Sequence, residues 1–255
     1  MLGAIVGDVV GSIYEWNNHR SKEFPLFGPR CSFTDDSVLT VALADTILKS
    51  GDYAAGMRRY GQLYPAAGYG GMFRRWLWNP SMGPYNSFGN GAAMRISPAG
   101  WAYATLDETL MRAREFTAVT HDHPEGIRGA EATAGAIWMG RHGKSKAEIR
   151  EWVVRRTGYD LSRTCDQIRP EYEFNETCQR TVPEAFTAFF ESTDFEDAIR
   201  LAVSLGGDTD TLACITGGVA EAFYGGVPKE IEHEALSRLD ARLRDVTTLF
   251  RARFP

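Results

Sequence analysis

Gly206-Gly207-Asp208-Thr209-Asp210-Thr211 runs directly into LACITGGVAEAF, residues 212–223, and follows the apolar stretch AIRLAVSLGG, residues 198–207. One apolar helix ends at the Gly-Gly pair and a second, of small residues, begins just past it. Two carboxylates and two hydroxyls occupy Asp208 to Thr211, a concentration of polar oxygens that packing alone does not call for. On the first turn of a helix, Asp208, Asp210 and Thr211 can converge on one point from the N-terminal end. Hard oxygen donors of this kind suit Mg²⁺, Mn²⁺ or Ca²⁺, and the absence of soft ligands disfavours Zn²⁺. One turn offers fewer oxygens than such an ion takes, so a second donor cluster is expected elsewhere in the chain.

The helix–break–helix pattern recurs along the whole chain, and period-two runs of β-branched residues are nearly absent. The expected class is all-α, in a single domain over 1–255. Val38, Leu39, Ala42, Leu43, Thr46 and Ile47 mark one face of a helix over 35–49, which Gly51 stops. Similar patterns predict helices at about 52–64, 106–118, 125–140, 145–156, 183–190, 194–205, 209–224, 228–238 and 240–252, with Pro183, Asp194 and Pro228 at starts. Residues 17–33, 65–93 and 158–181 carry few helical signals, and loops of that length often serve function.

Bulk properties exclude several classes. A chain of 255 residues with 44% hydrophobic and 24% charged residues is ordinary for a soluble globular protein. A formal net charge of -5 gives no general attraction to nucleic acid or to anionic membranes. MLGAIVGDVVGSIYEW has no basic leader and carries Asp8 within its apolar part, so neither a signal peptide nor a spanning helix is expected, and the location expected is cytoplasmic. The cysteines, Cys31, Cys165, Cys178 and Cys214, form no C-x-x-C pair and are read as reduced thiols; a Cys165–Cys178 bridge is the lesser reading.

The second donor cluster is Phe33-Thr34-Asp35-Asp36-Ser37, at the start of the 35–49 helix. Alone it reads as an N-cap with acids at the positive end of the helix dipole. Paired with the similar set at 208–211, it offers about six oxygen donors from two facing helix starts, enough for one ion or for two close together. Two further acids lie upstream. Asp8 is read as bonding buried backbone, whereas Glu15, at the edge of the 17–33 loop, can swing towards a metal site to bind or gate.

Ser87-Phe88-Gly89-Asn90-Gly91-Ala92-Ala93-Met94-Arg95 places glycines before a helix, an arrangement that exposes N–H groups to an anion. No G-x-x-x-x-G-K-[ST] loop is present. Gly68-Tyr69-Gly70-Gly71-Met72-Phe73 is a second flexible stretch. His121 and His123 lack a third nitrogen or sulfur donor nearby, so ligand contact or helix capping is preferred to metal binding. Arg74, Arg75, Trp76 and Trp78 read as an amphipathic helix with its tryptophans in the core, and Phe186, Phe189 and Phe190 read as core as well.

Taken together, GDVVGSIYE at 7–15, FTDDS at 33–37, SFGNGAAMR at 87–95, THDHPEGIRGA at 120–130 and GGDTDT at 206–211 resemble, in family order, the ADP-ribosylglycohydrolases related to the dinitrogenase-reductase-activating glycohydrolase. The resemblance implies two divalent cations, Mg²⁺ or Mn²⁺, held by Thr34, Asp35 and Asp36 on one side and Asp208, Asp210 and Thr211 on the other. It implies that Glu15 lies in a flap over the site, and that Ser87, Phe88, Gly89, Asn90 and Gly91 cradle a diphosphate. Met94 belongs to the same motif and is counted with them as substrate-binding, and His121 is implied to help hold ADP-ribose. Ser37 stands where the family often has threonine, and 158–181 lies outside the matching segments. The activity implied is metal-dependent release of ADP-ribose from an ADP-ribosylated protein or small molecule. Glu15, Asp35, Asp36 and Asp210 are the candidate catalytic acids, one orienting or deprotonating water and Glu15 assisting. A silent ADP-ribose-binding module and a binuclear phosphoester hydrolase are the alternatives; the intact Thr34, Asp35, Asp36, Asp208, Asp210 and Thr211 argue against the first. A monomer is expected.

Overall fold

The computed structural model describes residues 1–255. It contains fifteen helices and no strand, only an isolated antiparallel bridge between Gly89 and Thr177. In chain order they are α1 (Leu2–Gly11), α2 (Asp35–Lys49), α3 (Tyr53–Leu63), α4 (Gly71–Trp78), α5 (Gly91–Met94), α6 (Ser97–Ala102), α7 (Leu106–Ala118) and α8 (Pro124–Arg141). There follow α9 (Lys146–Thr157), α10 (Cys165–Ile168), α11 (Cys178–Glu191), α12 (Phe195–Ser204), α13 (Thr209–Tyr224), α14 (Lys229–Ser237) and α15 (Ala241–Arg253). No helix is long and apolar enough to cross a membrane.

The helix starts follow local chemistry. Asp52, Thr105, Asp194 and Asp240 each accept an N–H from the first turn of the helix they precede, and Ser145 with Glu148 closes a reciprocal cap on α9. One start was misplaced by the sequence. Pro183 lies inside α11, which begins at Cys178 because Cys178 N–H donates to Phe88 O and Asn90 N–H to Glu176 O, pinning the first turn to the 87–91 loop. The carbonyl that Pro183 cannot serve belongs to exposed Gln179, where water can replace the lost bond. The helix holding Asp8 ends at Gly11, the amphipathic helix read over Arg74–Trp78 is α4, and two short helices, α6 and α10, form where the sequence predicts none. Trp76 is buried, but Trp78 is 61% exposed. All four cysteines are free and buried.

The centre of the molecule is α13, buried from Thr209 to Ala222, with α1, α8, α11 and α12 packed around it. Its closest partner is α1, every residue of which is buried. A Cβ on Gly7 would stand 1.9 Å from the carbonyl oxygen of Ala213, and one on Gly3 would stand 2.2 Å from that of Gly217. With no side chain between them the two backbones touch, and this contact sets Asp8 and Asp210 at a fixed separation. One apolar cluster of 69 buried residues extends from Met1 to Phe250 around this pair.

Candidate active site

The turn between α12 and α13 needs two left-handed residues in succession, Gly206 at φ 77° and Gly207 at φ 74°, which only glycine adopts without strain. Tyr172 lies 2.7 Å from where a Gly207 Cβ would stand, and Gly207 N–H donates to Asn18 Oδ1 at 2.8 Å. Asp208 then takes the N-cap position without capping, so its carboxylate stays free to accept from Asn90 Nδ2 at 2.7 Å. Thr209 ties the turn to α1 by donating to Gly11 O at 2.9 Å, and Asp210 Oδ1 accepts Thr211 N–H at 2.9 Å.

The start of α2 faces this turn. Asp8 reaches across from α1 and accepts the Thr34 hydroxyl at 2.7 Å, the N–H groups of Thr34 and Ser37 at 3.0 Å each, and the Ser37 hydroxyl. The reading of Asp8 as a partner for buried backbone therefore holds, and a serine at 37 supplies the needed hydroxyl. With Asp8 doing this work, Asp36 is spared: it is 2% exposed and its Oδ1 has no hydrogen-bond partner. Carboxylate oxygens of Asp8, Asp36 and Asp210 come within 4.8 Å of one another, and so do those of Glu15, Asp208 and Asp210. Asp210 belongs to both groups.

Burial raises every one of these acids above its ordinary range; mutual repulsion adds to the effect on Glu15, Asp35, Asp36, Asp208 and Asp210, while the hydrogen bonds to Asp8 oppose it there. Asp35, Asp36 and Asp210 are pushed well up, Asp208 to about 6 and Glu15 to about 7. After burial, the charge of Asp210 is the next cause for Asp35, Asp36 and Glu15. An orphaned buried oxygen and a set of acids that cannot all ionise together fit a divalent cation held by hard donors.

These groups lie in a cleft of about 280 Å³. Glu15, Asp35, Asp36, Asp208, Asp210 and Thr211 line it together with Ser87, Gly89, Asn90, Gly91, Met94 and His121. Two residues named from sequence fall outside that lining: the Thr34 hydroxyl is turned to Asp8, and the Phe88 ring packs edge-on against His123 at 5.3 Å. His123 caps α8 by accepting Glu125 N–H. His121 is buried, and burial beside Arg95 keeps it neutral. Its Nδ1 accepts from Arg95 at 3.2 Å, which leaves the proton on Nε2, about 3.4 Å from the Cβ positions of Gly89 and Gly91. Glycine at both positions makes room for that ring. The N–H groups of Gly89 and Asn90 are bonded to Ser87 Oγ and Glu176 O, and α5 is a single turn, so His121 Nε2–H is a stronger donor to an anion than the helix end the sequence suggested.

The ADP-ribosylglycohydrolase family model matches residues 1–253. The chain belongs to the ADP-ribosylglycohydrolase family. It is similar to human ADP-ribosylhydrolase ARH3, at 26% identity over 305 residues covering 88% of this chain and 84% of the relative. It is similar also to the ADP-ribosylarginine hydrolase Tri1 of Pseudomonas putida, at 26% identity over 269 residues covering 90% and 71%. A solved ADP-ribosylglycohydrolase-related protein complex aligns with a TM-score of 0.73 and 25% identity, covering 100% of this chain and 97% of that one. Membership makes the chain an ADP-ribosyl hydrolase acting on glycosidic bonds.

The sequence had named most of the lining of this glycohydrolase cleft but not Tyr85, Phe174 or Glu176. Asp8 had been noticed without being joined to Asp36 and Asp210, although a lone acid in an otherwise apolar helix was the available signal.

The raised acids give this family member a pH signature. Without a cation, Glu15 and Asp208 keep protons in the folded state that an unfolded chain, with carboxyls at 4.5 and 3.8, has already released. A raised folded pKa contributes stability that is full below the unfolded value and is lost as pH rises through about 6 to 7. In EDTA, the Tm is expected to be several degrees higher at about pH 5.5 than at about pH 8, and Mg²⁺ at about pH 8 should recover the difference. Asp45 and Asp197, held below the usual range by neighbouring lysines and other partners, weaken the fold only at lower pH. Differential scanning calorimetry at both pH values, with and without EDTA, checks this; an EDTA Tm that rises with pH contradicts it.

Proposed function

We propose that the protein cleaves the glycosidic bond between ADP-ribose and an acceptor, a protein side chain such as arginine or serine or a related ADP-ribosylated compound, in a reaction requiring two divalent cations, Mg²⁺ or Mn²⁺. The observation that carries this reading is the sharing of Asp210 by two converging carboxylate groups in a cleft that also presents His121 and the 87–91 loop. Two acid groups with one common member suit two neighbouring ions better than one.

Asp36, Asp208 and Asp210, with Asp35 and Thr211 beside them, would hold the cations; Thr34 serves the same centre by orienting Asp8. When bound, the cations supply charge that binds ribose hydroxyls and acidifies a water. The protein's own groups supply the rest. Asp35, Asp36 or Asp210 accepts the proton of the attacking water, and Glu15, which lines the same cleft, assists the proton transfer. Positive charge developing at the anomeric carbon is stabilised by the surrounding carboxylates. His121 Nε2–H donates to the diphosphate, and Met94 gives the ligand an apolar contact beside it.

Purified protein incubated with arginine-linked and serine-linked ADP-ribosyl peptides is expected to release ADP-ribose with Mg²⁺ or Mn²⁺ and to lose roughly 100-fold or more of that activity in EDTA. Turnover unchanged by EDTA removes the cations from the reading. Release of AMP instead of ADP-ribose makes the protein a hydrolase of the diphosphate bond rather than of the glycosidic bond.

A further inference from the structure

Trp16 and Phe174 stack at 5.0 Å between ring centroids and 25° between planes, yet they stay 79% and 37% exposed. Two aromatic faces left in water at the edge of a cleft call for an occupant. Phe174 lines the cleft, and Trp16 follows directly on Glu15, which lines it too. The rings come from separate non-helical segments, and these are clamped together. Arg20 donates to Tyr172 O at 2.6 Å, to Leu205 O at 3.0 Å and to Arg169 O, while Asn18 accepts from Gly207 at 2.8 Å. The stack is therefore a fixed platform.

Its charge surroundings are one-sided. Glu15 and Glu176 both line this cleft, and Glu176 is anchored through its carbonyl, which accepts Asn90 N–H at 2.7 Å. The lining contains no lysine, and its one arginine, Arg95, is buried against Thr120 and His121. Exposed π faces beside two carboxylates, with no basic side chain free to pair with them, complement a flat, delocalised cation. A neutral hydroxyl acceptor gains nothing from such a platform, and a phosphodiester backbone is repelled by it.

We infer that Trp16 and Phe174, with Glu15 and Glu176, form the acceptor subsite and select a guanidinium, so that the preferred substrate is ADP-ribose linked to an arginine side chain. This rests on the hydrolase reading above: ADP-ribose fills the deep cleft and the acceptor leaves past Glu15. In the step, water oxygen bonds to the anomeric carbon, the carbon–nitrogen bond breaks, and a proton passes to the departing guanidine nitrogen.

The test compares kcat and KM on arginine-linked peptide, serine-linked peptide and ADP-ribosylated oligonucleotide, using wild type, Phe174→Ala and Trp16→Phe. Phe174→Ala should raise KM for the arginine substrate about tenfold and leave ADP-ribose affinity, read by calorimetry, unchanged. Trp16→Phe keeps the aromatic face and should stay within about threefold of wild type on KM. Equal losses on arginine and serine substrates, no loss on either, or a wild-type preference for serine or oligonucleotide overturns the subsite. NMR titration of arginine amide into protein saturated with ADP-ribose separates the two claims. Binding that Phe174→Ala abolishes, in a protein that hydrolyses none of the substrates, upholds the subsite and sinks the hydrolase; turnover with no such binding sinks the subsite alone.

Discussion

Replacing Asp210 with asparagine is expected to lower kcat/KM for ADP-ribose release by about 10³-fold or more, on the order of 4 kcal/mol of transition-state stabilisation. The magnitude follows from its position in both carboxylate groups, Asp8–Asp36–Asp210 and Glu15–Asp208–Asp210. Asparagine keeps the shape and one oxygen but removes the charge common to both sites. The same substitution should stabilise the metal-free protein, because the Asp210 charge is the leading electrostatic cause raising Asp35, Asp36 and Glu15. Loss of activity with a gain in EDTA Tm separates a site effect from misfolding. A D210N protein whose Tm still rises with Mg²⁺ as the wild type's does would show that the cations bind elsewhere.

The second large effect is structural. Gly7→Ala places a methyl 1.9 Å from Ala213 O and 2.5 Å from Cys214 N, both backbone atoms of the central helix, so the helices must separate. Overpacking of this kind should cost about 3 kcal/mol and lower Tm by roughly 10 °C in a chain of this size. Because Asp8 sits on the displaced helix, Mg²⁺ affinity should fall with it. Gly51→Ala is the control: nothing lies within 4 Å of its Cβ, and its Tm should stay within about 2 °C of wild type. Equal Tm values for the two variants would mean that α1 and α13 can move apart freely.

What the sequence revealed follows from how local each signal is. GGDTDT and FTDDS were legible because polar oxygens crowded at the start of apolar helices contradict packing, and the structure brings Asp36, Asp208, Asp210 and Thr211 to one cleft. Asp194 was legible as a cap because a cap bonds three residues away. Pro183 misled because a local rule, proline at a helix start, gave way to the pairing of Asn90 with Glu176 across the fold. The glycines of α1 carry no message until α13 lies against them. Phe174 and Glu176 stayed hidden because nothing periodic places the 169–177 stretch; Arg20, far upstream, holds it by donating to the carbonyls of Arg169 and Tyr172.

The contact between α1 and α13 also constrains how the chain is made. Thr209 bonds Gly11 across a sequence separation of 198 residues, so the first helix leaves the ribosome long before its partner exists. At ordinary rates of synthesis the wait is about 10–40 s, and closing so long a loop is slow in itself. Throughout that interval an entirely apolar face of α1, interrupted only by Asp8, must be shielded by provisional neighbours or a chaperone. The central helix is thus synthesised late, with only α14 and α15 after it, and the acidic centre assembles only when it arrives.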